Sequence, residues 1–147
     1  MRLWHYKLIP VLPKQQLVSQ WRECIAIKRQ WEKGTLKHRL VSYVVEYDKA
    51  RFSNYVTYLT NEMNKRHIKF QDKYLNEIYE FCKRGDTYIY YVQNYEYPEH
   101  NDRYLKQCFY NLEEKYDRGI ISKEEWEKIE ELWDNFIRKK LMEENDD

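Results

Sequence analysis

Glycine and proline are scarce in this chain, with three of each among 147 residues. A loop-rich all-β sandwich needs both for its turns, so helices are favoured. Cysteine is equally sparse: Cys24, Cys82 and Cys108 are odd in number and far apart, which gives neither a disulfide framework nor a zinc pattern. The four histidines, His5, His38, His67 and His100, show no His-x-x-x-His spacing, and no Cys-x-x-Cys occurs. No metal site and no cofactor are therefore expected. Three isolated glycines cannot build a phosphate-cradling loop either. No apolar run approaches the roughly 20 residues that span a bilayer, and the N-terminus has no signal-peptide core. Together these absences describe a soluble, cytoplasmic protein with no membrane contact, organised as one domain over residues 1–147.

What the chain does have is aromatic and charged. Hydrophobic residues make up 42% and charged residues 35%, enough for a core and too structured for wholesale disorder. Fifteen tyrosines and five tryptophans exceed what a small core needs and point to stacking surfaces or an interface. The net charge of +1 conceals an asymmetry: residues 1–40 hold nine Lys/Arg against two Glu, and residues 111–147 hold seven basic against thirteen acidic residues. A positive N-terminal third attracts phosphates, whereas the acidic end repels them or covers the basic surface.

Periodicity predicts an all-α, compact helical bundle. Pro10 and Pro13 bracket an extended lead-in to a helix from Lys14 to about Glu32, stopped by Gly34. Leu17, Trp21 and Cys24 form its apolar stripe, and Gln16, Ser19, Gln20 and Glu23 share a polar face. Segment 35–47 reads as irregular with at most a short strand. Further helices are predicted over Asp48–Arg66, Asp72–Arg84 (stopped by Gly85) and Asn101–Tyr116 (stopped by Gly119). Ser122 with Glu125 forms a capping box that opens a final acidic helix within 121–147, completing a helical hairpin and fraying from Met142. Residues 87–97 are a Tyr-rich irregular segment, either strand or packed loop.

The chemistry available is narrow. Cys24 and Cys108 lie on apolar stripes and Cys82 follows one, so buried structural thiols explain all three. That leaves carboxylates and amines. Glu23 directly follows Arg22 on a helix rich in amides. Adjacent helical residues point about 100° apart, so each must find its own partner.

The opening Met1-Arg2-Leu3-Trp4-His5 through Pro10, then Leu12-Pro13-Lys14-Gln15-Gln16-Leu17 and Gln20-Trp21-Arg22-Glu23-Cys24, resembles the pyrimidine-dimer DNA glycosylase family, the endonuclease V type of bacteriophage and bacterial relatives. Shorter similarities follow at Tyr47-Asp48-Lys49, Glu62 to Arg66, Pro98-Glu99-His100 with Tyr104-Leu105, and Leu112-Glu113-Glu114-Lys115, which together mark residues 1–120 as the glycosylase-like region. The resemblance implies a metal-free glycosylase and abasic-site lyase acting on damaged duplex DNA through a flipped-out base. Its nucleophile is the N-terminal α-amine, here that of Met1, since Met is retained before the bulky Arg2. Glu23 takes the role of the assisting carboxylate, and Arg22 that of its phosphate-holding neighbour. The resemblance also draws Arg2, Trp4, His5, Gln16, Lys37, His38, Arg39, His100 and Lys115 into a DNA- or nucleotide-binding surface. An α-amine titrates near ~7.7–8.0, well below Lys, so a useful fraction of such groups is a neutral nucleophile at neutral pH.

Two other readings stay open on the residues. The same basic, Tyr-lined cleft could retain a small nucleotide or nucleotide-derived signal without cleaving it, as a monomer or small homo-oligomer. Alternatively, Trp126, Trp133 and segment 87–97 could form a protein-interaction surface.

Overall fold

The computed structural model describes residues 1–83 and 96–145. Five α-helices carry the fold: α1 (Lys14–Lys33), α2 (Lys49–Lys65), α3 (Asp72–Lys83), α4 (Asp102–Asp117) and α5 (Lys123–Asn145), with 3-10 helices at Tyr6–Val11 and Ser42–Glu46. Among the described residues there is no strand. The all-α bundle and the hairpin of α4 and α5 are as expected. Gly85 and most of the Tyr-rich stretch lie outside the described residues.

The helix signals act as local chemistry requires. Gly34 caps α1 in the left-handed region (φ 72°), and the Thr35 N–H returns to the Gln30 carbonyl at 2.8 Å. Asp48 caps α2 by accepting from the Ala50 N–H, and Asn101 caps α4 by accepting from Tyr104 N–H. The Ser122–Glu125 box closes in both directions, at 3.1 and 3.2 Å. Phe52, Tyr55, Leu59 and Met63 of α2 and Leu105, Cys108, Phe109 and Leu112 of α4 are all buried.

Several expectations are corrected. The lead-in between the two prolines is largely 3-10 helix, because Pro10 needs no N–H donor and its fixed φ suits a tight turn. Segment 35–47 holds the second 3-10 helix, which buries Val44, in place of a strand. The last helix does not fray at Met142 and continues to Asn145. Trp126 stacks on Tyr116 at 5.2 Å and Trp133 on Phe109 at 4.5 Å. These two tryptophans fasten the α4–α5 hairpin, Trp126 buried in the core and Trp133 partly buried against it.

The first 3-10 helix is locked from its C-terminal end by one residue. Arg66, just past α2, donates to the carbonyls of Leu12 (2.6 Å), Pro10 (3.0 Å) and Ile9 (3.2 Å) while its Nε pairs with Glu62 at 2.8 Å. The planar fork of a guanidinium reaches several carbonyls at once, which an ammonium cannot do. Arg66→Ala is expected to cost about 2–4 kcal/mol, and Arg66→Lys to recover little of it. Urea midpoints of the two variants check this.

Candidate active site

Residues 1–5 have no regular secondary structure, yet Leu3, Trp4 and His5 are buried. A buried segment must pair its backbone groups. Here three helices supply side chains for the purpose. Tyr104 of α4 donates to the Leu3 carbonyl (2.5 Å), and Tyr55 of α2 donates to the Trp4 carbonyl (2.7 Å). Gln20 of α1 accepts from the Trp4 N–H (2.7 Å) and donates to the Arg2 carbonyl (2.8 Å). Burial pushes both phenols well above their usual range, so they are donors throughout the working pH range. The N-terminal segment is thereby fixed peptide by peptide.

Glu23 sits one turn beyond Gln20, half-buried, and accepts from the Gln20 Nε2 at 2.9 Å. Burial raises its carboxyl above the usual range. The Met1 amine, the Arg2 N–H, His38 and the Arg2 guanidinium oppose that rise in descending order. Among the groups that oppose the rise, the α-amine comes first, so its charge is felt at this carboxylate. An amine and a half-buried carboxylate so placed can exchange a proton and stabilise positive charge forming between them.

The remaining residues singled out from sequence fall into two groups. Arg22, Lys37, His38 and Arg39 are exposed, on α1 and the loop that follows it, and His38 is close enough to bias Glu23. Arg2 is half-buried, with its guanidinium over the Trp4 ring at 5.7 Å and in reach of the Tyr104 hydroxyl and Cys108 thiol. Trp4, His5, Gln16 and His100 lie in the interior. Lys115 is half-buried on α4, and no described contact joins it to Met1 or Glu23.

His5 and His100 stack at 5.5 Å within a cluster that includes Tyr6, Tyr43, Tyr97 and Tyr104. Burial drives His5 down to about 4 and His100 down to about 3, each opposed or assisted by lesser charges nearby. Both imidazoles are therefore neutral at pH 7. His5 Nδ1 accepts from the Lys7 N–H (3.1 Å), so it caps the first 3-10 helix, and His100 Nε2 bonds the Tyr43 hydroxyl (2.7 Å). Cys24, Cys82 and Cys108 are buried and free, with thiols raised mainly by burial. Among the described residues no group of three or more His, Cys, Asp or Glu side chains could hold a metal ion.

Sequence reasoning does not single out Gln20, Tyr55 or Tyr104 as site residues. Gln20 lies three residues before Glu23, a spacing that puts the two on one helix face. Tyr55 and Tyr104 carry no local signal, since their partners are far away along the chain.

A model of the family described as pyrimidine dimer DNA glycosylase matches residues 1–76, just over half of the chain. The chain belongs to the pyrimidine dimer DNA glycosylase family. Membership places it among DNA-repair glycosylases, with DNA as its partner. For a pyrimidine dimer glycosylase the matched stretch is informative, because it holds Met1, Gln20, Glu23, Tyr55 and the 37–39 loop and ends within α3. His100, Tyr104 and Lys115 lie beyond it. The comparisons with curated proteins and with solved structures returned no match. Among the described residues no helix is long and apolar enough to cross a membrane.

Proposed function

We propose that this protein releases a damaged pyrimidine from duplex DNA and cleaves the strand at the resulting abasic site, with the Met1 α-amine as nucleophile and Glu23 as acid/base. The observation that carries the reading is the clamp on residues 2–4, which holds the terminal amine close to a half-buried carboxylate. Burial of this segment requires its backbone groups to be paired, and pairing them from three helices also holds a nucleophile in place, which removes much of the entropic barrier to meeting a sugar carbon.

In this reading the neutral amine attacks C1′ as the glycosidic bond breaks, and the bonding pair leaves with the base, which takes up a proton. Glu23 stabilises the positive charge that gathers on the sugar and accepts the proton the amine gives up. Ring opening leaves an iminium between Met1 and C1′. Loss of a C2′ proton then expels the 3′ phosphate. Arg22, next to Glu23 on α1, and Lys37 and Arg39, either side of His38 in the following loop, are exposed and suit the phosphates around the lesion.

Borohydride reduction tests the proposal. Incubated with a duplex carrying an abasic site, the protein is expected to give a covalent DNA adduct, lost when the N-terminus is acetylated. An adduct that survives acetylation would move the nucleophile to a lysine. No adduct from folded protein, with a free N-terminus verified by mass spectrometry, would overturn the reading.

A further inference from the structure

We propose that Gln20 is a positioning residue for this chemistry, its side-chain amide setting the distance between the segment that carries the Met1 amine and the Glu23 carboxylate. The inference rests on the reading of Met1 and Glu23 as nucleophile and acid/base.

A side-chain amide has two N–H donors and an oxygen with two lone pairs. Gln20 is fully buried and uses both donors. Its Nε2 donates to the Arg2 carbonyl (2.8 Å) and to Glu23 Oε2 (2.9 Å), and its Oε1 accepts from the Trp4 N–H (2.7 Å) and shares, at 3.0 Å, the single Tyr55 hydroxyl proton that points at the Trp4 carbonyl (2.7 Å). Exchanging the amide O and N would put an oxygen against two oxygens and an NH2 group against the Trp4 N–H, so the orientation is fixed. Burial alone does not produce such a set. Gln16, one turn earlier on the same face, is nearly as buried and its Oε1 has no hydrogen-bond partner.

The division of labour within the amide is informative. The oxygen serves the scaffold, and the nitrogen bridges the N-terminal segment and the carboxylate, one hydrogen to the Arg2 carbonyl of the second peptide from the amine and the other to Glu23. The charged groups around Glu23 are the Met1 amine, the Arg2 guanidinium and the exposed His38. Gln20 is the neutral group among them, and it is held in turn by Trp4 and Tyr55. Without it, Leu3 and Trp4 remain tied by Tyr104 and Tyr55, and Glu23 keeps the Arg2 N–H but loses the second bond that runs through Gln20 to the Arg2 carbonyl. A misplacement of about 1 Å costs on the order of 10² in rate.

The test is a double-mutant cycle on single-turnover strand cleavage at an abasic site, with borohydride trapping measured in parallel. Gln20→Met is expected to slow cleavage about 10–100-fold. Placed on Glu23→Gln it should cost less than about 3-fold, because the residue it acts through is already disabled. Tyr104→Phe, which loosens the clamp at the Leu3 carbonyl without touching Gln20, should cost the same factor in both backgrounds. Gln20→Leu, also close in volume and without donors, makes the same test where Gln20→Met does not fold. If the Gln20 variants lose equal factors with and without Glu23, the residue is structural only and the proposal falls. If the wild-type protein forms no adduct, the amine reading falls first and carries this one with it.

Discussion

Glu23→Gln is expected to slow base release and strand cleavage by about 10²–10⁴, the range typical of a lost general acid/base. The substitution is isosteric and retains an oxygen to accept from Gln20, so the melting temperature should hardly move. Burial penalises the charge on Glu23, and a neutral amide at this position removes that penalty. Condensation of the amine with an abasic aldehyde requires the carboxylate less than the later proton transfers do. The variant should therefore still be trapped by borohydride while cutting slowly. A variant that cleaves at the wild-type rate would remove Glu23 from the chemistry.

The second large effect concerns acid. In an unfolded chain both His5 and His100 titrate near 6.5, whereas in the fold they lie at about 4 and about 3. Between those values the unfolded chain binds protons that the folded chain refuses, so stability falls as pH drops below about 6.5. The loss is on the order of 3 kcal/mol for each imidazole by pH 4, enough in sum to threaten a domain of ordinary stability. Glu23 works in the opposite sense, since a raised carboxyl is relieved by protonation. Thermal melts between neutral pH and about pH 4 should show the steep decline, and His100→Gln should make it shallower. An unchanged slope in that variant would acquit His100.

Much of this molecule is legible in its amino-acid order. The 3.6-residue period of α2 and α4 names their buried faces correctly, and Gly34, Gly119 and the Ser122–Glu125 box mark boundaries, because these signals are local. The 3-10 helices are not legible. Pro10 reads as a helix boundary, and only the Arg66 fork, from a residue more than fifty positions away, reveals the turn it stabilises. Gln16 and Gln20 read as a polar face, since nothing in an amide's spacing tells whether water or another segment satisfies it. The first 24 residues carry the family resemblance, and the same residues hold the amine and the carboxylate. Tyr55 and Tyr104, which hold that segment in place, read only as helix residues, since the hydroxyl bonds they make are tertiary. His5 and His100 show the same limit: their type suggests charge at a phosphate, and only their burial makes them neutral.

The bond from Tyr104 to the Leu3 carbonyl joins residues 101 positions apart. A nascent or truncated chain that ends before α4 already contains Met1, Gln20 and Glu23, but its N-terminus is tied by α1 and α2 alone. The last of the three anchors arrives with one of the last elements made. On the proposed reading of Met1 as nucleophile, an incomplete chain would carry the amine without the full frame that aims it. Cutting competence should accordingly appear late during refolding, after helical signal has recovered, and time-resolved trapping set against circular dichroism would record the lag.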